Sequence, residues 1–147
     1  MKKVSIVASL LFLSAVCIGN AHAATLDSQR VAVKTPEVRL YRVGGHSAEA
    51  FMELQNNSKR PISIIAATSS VDHETQLHKT VVEHGKVTMV QIKQIELPAK
   101  KDEDLKFGGV HIMLMNLKQP LQVNSPVSIT LVFADGSNLK VNAKVVN

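Results

Sequence analysis

Short runs of residues that favour β-strands, separated by turn signals, constrain the fold of this chain more than any other feature. Most runs alternate apolar and polar side chains, and pairs such as Gly44-Gly45 and Gly108-Gly109 separate them. No long stretch repeats with the period of an α-helix. The predicted strands are residues 38–43, 48–55, 62–67, 76–83, 86–95, 110–117, 127–134 and 139–145. Short strands at this spacing around one core predict an all-β fold, an antiparallel β-sandwich.

One turn signal also predicts the form of its connection. Asp135-Gly136 lies between two alternating runs, and a two-residue hairpin loop needs the positive φ that Gly adopts readily. We therefore expect a two-residue hairpin at this point. The polar residues 99–104 predict a loop, and nothing in the pattern predicts a second domain.

The N-terminus has the three parts of a secretory signal peptide. Lys2 and Lys3 precede an apolar run, residues 4–19, and small residues flank His22. The run is short for a membrane span and no second apolar segment follows, so we expect no stable membrane insertion. The sequence predicts a signal peptide at residues 1–23, cleaved after Ala23, and a single mature domain at residues 24–147 in the periplasm.

A lipoprotein signal is the alternative, because Cys17 lies inside the apolar run. The residue before this cysteine is Val16 rather than Gly or Ala, and Leu13 lies one position too far upstream. We therefore expect a cleaved signal peptide without a lipid anchor.

Charge and cysteine content exclude several classes of function. The net charge is +5, but Lys2 and Lys3 belong to the predicted signal peptide and the other basic residues are scattered, which argues against a nucleic-acid partner. The mature chain would hold no cysteine, and so no disulfide, no cysteine nucleophile and no thiolate for a blue-copper site. Since it also lacks a G-x-S-x-G motif and a zinc triad, we expect no enzyme.

A predicted hairpin around His84-Gly85 positions two candidate residues. A two-residue loop pairs Glu83 with Lys86, and the same register puts His78 opposite Gln91. Met89 is then the diagonal neighbour of His78 on the same face of the hairpin. The other face is mostly apolar and suits the core.

A later strand places three more candidates on one face. Val110, Ile112 and Leu114 alternate with His111, Met113 and Met115, and the first three fit the core. The pattern therefore predicts that the imidazole and the thioethers lie away from the core. Each such residue alone is commonly a packing or surface residue. Together the soft thioethers of Met89 and Met113 and the borderline, neutral imidazoles of His78 and His111 form a donor set that suits Cu(I).

The other histidines and methionines have ordinary explanations. We expect His46, His73 with Glu74, and His84 in loops or turns. Residues 73–78 resemble the zinc-protease motif HExxH with one residue too many, so the two histidines cannot chelate a metal together. Met52 is predicted to pack in the sheet or core, and Met115 to line the site or pack rather than ligate.

The four candidates match a known signature. Ten residues separate His78 from Met89, twenty-one separate Met89 from His111, and one separates His111 from Met113. This pattern resembles the His-x10-Met-x21-His-x-Met signature of the periplasmic copper chaperones called PCu(A)C, or DUF461. Residues 108–117 resemble the family's GG-x-HxMLMxL segment, and the likeness extends from about residue 48 to the C-terminus.

The resemblance implies a cupredoxin-like antiparallel β-sandwich of Greek key topology and a monomeric Cu(I) metallochaperone. It implies one copper ligated by His78, Met89, His111 and Met113. The acceptor would be the copper centre of cytochrome c oxidase subunit II, reached directly or through a thioredoxin-like copper carrier.

The chain departs from the family in three places. Lys79 and Thr80 stand where many members have a Met, the frequent N-terminal Trp is absent, and no Met/His-rich tail follows the last strand, so we expect one site. Two alternatives remain open, a periplasmic protein of copper sequestration and tolerance, and a metal-free β-sandwich interaction module.

Overall fold

The computed structural model describes residues 24–41 and 45–147. The predicted signal peptide, residues 1–23, lies outside the described residues. A short 3₁₀ helix, Asp27–Gln29, precedes the strands. The strands are β1 (Val31–Leu40), β2 (Ser47–Asn56), β3 (Ile62–Ser69), β4 (Glu74–Glu83), β5 (Lys86–Gln91), β6 (Ile95–Leu97), β7 (Asp102–Leu105), β8 (Val110–Met115), β9 (Pro126–Phe133) and β10 (Asn138–Val146).

The strands form one continuous hydrogen-bonded path that folds over a single core. Their order is β5-β4-β8-β2-β1-β10-β9-β3-β6, with β7 beside β2. Buried residues of both halves of the path, such as Leu77, Ile112 and Ile129, belong to one hydrophobic cluster. The β-sandwich prediction is confirmed, with one exception to its antiparallel pairing, because β1 and β10 run parallel.

Three of the sequence predictions about strands were wrong. The first strand was predicted at residues 38–43, but β1 is Val31–Leu40, and residues 42 and 43 lie outside the described residues. Residues 86–95 form two strands rather than one, since β5 ends at Gln91 and β6 pairs with β3. Residues 99–104 were predicted as a loop, but Asp102–Leu105 forms β7. β8 pairs with the first part of β2, up to Ala50. β7 pairs with the same edge of β2 from Met52 onward. The backbone groups of β2 that β8 leaves free therefore gain partners.

The two predicted hairpins form, with one difference in loop length. The β4–β5 loop has two residues with positive φ, His84 at 51° and Gly85 at 76°, as predicted. The β9–β10 connection spans residues 134–137 and is longer than the predicted two residues. Its backbone bonds run from Phe133 N to the Ser137 carbonyl and from Gly136 N to the Phe133 carbonyl, with Gly136 at φ 82°. The extra residues are held by Asp135, whose carboxylate accepts from the Ser137 amide and hydroxyl.

None of the helices in the described ranges is long and apolar enough to span a bilayer.

Strand alternation decides which side chains leave the core. In β4 and β8, Leu77 and Ile112 point into the core and are paired with each other across the ladder. Their sequence neighbours therefore lie on the opposite face, which we call the outer face of strands β5, β4, β8 and β2.

Candidate metal centre

His78 and His111 occupy opposite positions in neighbouring strands. The ladder between β4 and β8 pairs His78 directly with His111. Their ring centroids are 6.0 Å apart, in an edge-on arrangement with an interplanar angle of 61°. The two imidazoles therefore meet on the outer face although thirty-two residues separate them along the chain.

The two thioethers flank this pair on the same face. Met113 lies two residues beyond His111 in β8 and pairs with Gln76 of β4. On the other side, Met89 of β5 pairs with Thr80, which places it diagonally from His78, as the hairpin register predicts. The ladder registers thus bring all four candidate residues onto one face of three adjacent strands.

His111 and Met113 of β8 lie on the face opposite the core cluster, as predicted, but both side chains are buried there. His111 is 1% exposed and Met113 is 5% exposed, whereas His78 and Met89 are half-buried. The reason is that β8 has strands on both sides, whose long side chains cover it. Phe51 of β2 is one of these, with its ring centroid 6.3 Å from that of His111.

Hydrogen bonds fix which nitrogen of each imidazole carries the proton. His111 Nδ1 lies 3.0 Å from the Gly109 carbonyl, which can only accept, so the proton is on Nδ1. His78 Nε2 lies 2.7 Å from Gln76 Oε1, and the Gln76 amide nitrogen donates in turn to Glu74. His78 therefore donates from Nε2. The remaining nitrogens, His78 Nδ1 and His111 Nε2, each keep a lone pair.

These lone pairs belong to a cluster of unsatisfied atoms. Among the described residues, the buried side-chain nitrogen and oxygen atoms without a hydrogen-bond partner are Glu49 Oε1, His78 Nδ1, Thr80 Oγ1 and His111 Nε2. All four side chains lie on the outer face of β2, β4 and β8. Buried polar groups in folded proteins are nearly always paired, so their concentration in one place indicates a binding site.

The chemistry of this face limits what a metal could use. Within residues 24–41 and 45–147, no three side chains of the His, Cys, Asp or Glu types converge as a metal site. The outer face offers the soft thioethers of Met89, Met113 and Met115, of which Met115 lies farther along β8 from the histidine pair.

Glu49 is a functional candidate that the sequence analysis missed. It lies in β2 opposite Met113 and is 4% exposed. Its Oε1 is 3.9 Å from His111 Nε2. Burial raises the pKa of Glu49, and His111 opposes that rise in part. The alternation of β2 puts Glu49 on the outer face, but only the pairing of β2 with β8 brings it to His111.

The loop between β7 and β8, residues 106–109, closes one end of the site. Gly109 accepts a hydrogen bond from the Thr80 amide through its carbonyl, and Gly108 has φ 77°. Phe107 is 77% exposed at the tip of this loop. It lines a surface depression together with Glu49 and Arg39. The region around the candidate residues is therefore rimmed by an exposed aromatic side chain.

The remaining histidines and Met52 lie where the sequence predicts. His84 is at a hairpin tip, His46 is exposed before β2, and His73 precedes β4. Met52 is buried in the core. Glu74 was predicted in the loop with His73, but it is the first residue of β4 and pairs with Met115.

Comparison with protein families gives one clear match. A family model described as LpqE-like matches residues 31–145. A curated protein of Leifsonia xyli subsp. xyli, which is named as a lipoprotein, is 36% identical over 126 residues. That match covers 85% of this chain and 76% of the Leifsonia protein.

Solved structures with the same fold include copper-binding proteins. DR1885 of Deinococcus radiodurans in its Cu(I) form is 31% identical, with a TM-score of 0.60, and the match covers 85% of this chain and 82% of DR1885. The apo form of DR1885 is 29% identical with a TM-score of 0.60, over 99% of this chain and 95% of that one. The copper-bound PCuAC domain of PmoF2 is 22% identical with a TM-score of 0.66, over 79% and 92% of the two chains. This last likeness shows a shared fold.

Proposed function

The chain belongs to the LpqE-like family, and from that premise we propose that it is an exported Cu(I) metallochaperone, a binding protein rather than an enzyme. The Cu(I) form of DR1885, at 31% identity, supports copper as the cargo. The match of the chain to the His-x10-Met-x21-His-x-Met signature of PCu(A)C proteins supports the same conclusion.

The proposed ligands of one Cu(I) are His78, Met89, His111 and Met113. The observation that carries this proposal is the pair of buried lone pairs on His78 Nδ1 and His111 Nε2, which have no hydrogen-bond partner. Their other nitrogens donate to Gln76 and Gly109, the arrangement that orients metal-binding imidazoles in proteins. Two soft thioethers on the same face complete a neutral donor set, and it is the thioethers that favour Cu(I) over Zn(II).

The proposed place of action is the periplasm. The signal peptide proposed for residues 1–23 would release a mature domain, residues 24–147, that holds no cysteine. A His/Met site has no thiol to lose to disulfide formation in an oxidising compartment. We also propose that the mature protein is a monomer.

The proposed acceptor is the copper centre of cytochrome c oxidase subunit II, reached directly or through a thioredoxin-like copper carrier. A thiolate is a softer and stronger ligand for Cu(I) than a thioether. Transfer from a His/Met donor to a reduced pair of cysteines is therefore downhill in free energy. The exposed Phe107 beside the site provides apolar surface for contact with an acceptor.

Copper sequestration is the second candidate function, and the burial of two proposed ligands favours it. His111 and Met113 are nearly inaccessible to solvent, so an incoming ligand must reach the metal from the side of the half-buried His78 and Met89. A protein that stores copper would use such burial to slow the loss of the metal.

One experiment tests binding and transfer in sequence. The mature protein is loaded anaerobically with Cu(I), its stoichiometry is measured, and it is mixed with the reduced, soluble copper domain of oxidase subunit II or with a thioredoxin-like carrier. We expect one Cu(I) per chain and transfer within minutes, followed by NMR of both partners. Absence of Cu(I) binding contradicts the function as a whole. Copper that stays on the donor for hours in the presence of an acceptor of higher affinity supports sequestration instead.

A further inference from the structure

A buried carboxylate without a cation lies beside the proposed copper ligands. Glu49 is 4% exposed, and its Oε1 has no hydrogen-bond partner. Within the described ranges, the basic side chain within 4.0 Å of its carboxylate is His111, at 3.9 Å. Arg39 is the residue opposite Glu49 in β1, but its Nε donates to Glu37 at 3.0 Å. The strong cation that faces Glu49 across the β1–β2 ladder is thus bonded to another carboxylate.

A carboxylate in this position is costly unless a positive charge joins it. Removing an anion from water carries a large free-energy penalty, which nearby opposite charge or several hydrogen bonds must offset. The rise in the pKa of Glu49, caused mainly by burial, reflects that penalty.

Bound copper would bring the missing positive charge. Two imidazoles and two thioethers are neutral donors, so Cu(I) in such a site keeps its full charge of +1 in a region that excludes water. Since Glu49 Oε1 lies 3.9 Å from the His111 nitrogen that is proposed to ligate copper, the carboxylate is close enough to interact strongly with that charge.

We propose that Glu49 is the counter-charge of the bound Cu(I), a positioning residue that makes the loaded site electrically neutral. The inference rests on the proposed function and extends it to a residue outside the four ligands. It explains why Glu49 Oε1 is buried without a hydrogen-bond partner in the metal-free protein. The negative charge of Glu49 also favours binding of a cation over binding of a neutral ligand.

The test compares three substitutions in the mature protein. Glu49→Gln keeps the size of the side chain and removes its charge, whereas Glu49→Asp keeps the charge. The control is Glu53→Gln, on the same strand and the same face, where the carboxylate is bonded to Lys34 at 2.6 Å. Cu(I) affinity is measured anaerobically with a competing chelator, and the stability of the metal-free protein is measured by chemical denaturation.

A counter-charge predicts opposite effects on affinity and stability. Glu49→Gln should weaken Cu(I) binding about tenfold or more, while the metal-free protein becomes equally or more stable because a buried charge is gone. Glu49→Asp should stay within about threefold of wild type, and Glu53→Gln should bind as wild type does. Wild-type affinity in Glu49→Gln would overturn the inference and leave the proposed function intact. Reduced stability together with reduced affinity would also overturn it, because that result assigns Glu49 a structural role.

X-ray absorption of the Cu(I)-loaded protein separates a counter-charge from a direct ligand. A counter-charge predicts two nitrogen or oxygen neighbours and two sulfur neighbours in wild type, unchanged in Glu49→Gln. A third nitrogen or oxygen neighbour that disappears in the variant would contradict the inference. If wild type binds no Cu(I), the proposed function itself fails, and that outcome is distinct from the three that overturn only the inference.

Discussion

His78 and His111 lie directly opposite each other on β4 and β8, and each keeps one buried ring nitrogen without a partner. In both residues the second nitrogen donates a hydrogen bond that fixes the tautomer. Two lone pairs are thus held ready in a region that excludes water. The two histidine side chains are therefore already ordered before a metal binds, which lowers the entropic cost of binding.

Removal of either thioether should weaken Cu(I) binding without loss of the fold. Met89→Leu and Met113→Leu conserve volume, so each should cost less than about 1.5 kcal/mol of stability. We expect a clear fall in affinity in a competition assay, because leucine offers no donor atom. Met52→Leu in the core is the matched control and should bind as wild type does. Full affinity in either site variant would contradict the ligand assignment.

Truncation of Met113 should have a second effect. Since Met113 is buried, Met113→Ala should destabilise the metal-free protein by about 2–5 kcal/mol, whereas Met89→Ala, at a half-buried position, should cost less. Chemical denaturation of the two variants measures this difference. Equal, small losses would indicate that the outer face of β8 is less protected than its burial implies.

Gln76 should support the site without contacting the metal. Its side-chain oxygen accepts from His78 Nε2 at 2.7 Å, which keeps the lone pair on Nδ1. Loss of such an outer partner typically lowers metal affinity, here about tenfold in Gln76→Ala. Gln91→Ala is the control, because Gln91 also lies opposite His78 but is exposed and unbonded to it. An equal loss in both variants would assign the effect to the sheet rather than to the tautomer.

Cu(I) affinity should depend on pH through His78. Burial, and next the neighbouring His111, hold the pKa of His78 below its ordinary value of 6.5. A neutral imidazole ligates and a protonated one does not, so affinity should stay constant from neutral pH down to about 6.5 and fall only below it. Competition assays across that range measure the profile. A fall that begins well above pH 6.5 would contradict the buried, neutral state of His78.

The same pKa shift affects the stability of the metal-free protein. Because the pKa of His78 is lower in the folded than in the unfolded chain, the unfolded chain takes up its proton first as the pH falls. The free energy of unfolding should therefore decrease as the pH falls from about 6.5 to the pKa of His78 in the folded protein. Below that pKa, His78 should make no further contribution to the pH dependence. His78→Gln should lack this decrease.

Export should remove residues 1–23 and leave Ala24 as the N-terminus. Intact mass of the exported protein decides this. The alternative is a lipid anchor on Cys17, although Val16 and Leu13 do not fit a lipoprotein signal. A diacylglycerol adduct on Cys17, or an uncut N-terminus in the membrane fraction, would contradict the prediction.

Turn preferences and strand alternation were sufficient to predict the hairpin that carries His78 and Met89. A two-residue loop at His84-Gly85 leaves one register for the flanking strands, and that register is the one observed. The alternation of apolar and polar residues likewise predicted that Ile112 faces the core and that His111 lies on the opposite face. These features depend on residues that are close in sequence.

Features that depend on distant strands were not predictable from the sequence. Nothing local to β8 shows that β4 and β2 lie on its two sides, and this placement buries His111 and Met113. The same pairing brings Glu49 to His111. β7 was missed because residues 102–104 are all acidic, and its position follows from the free edge of β2 rather than from its own pattern.

NMR of the methionine methyl groups tests the central claim most directly. The mature protein, labelled with ¹³C at these methyls, is titrated anaerobically with Cu(I). The methyl signals of Met89 and Met113 should shift and stop changing at one equivalent of copper, while Met52 in the core stays in place. Copper binding that leaves the Met89 and Met113 signals unmoved would contradict the proposed site.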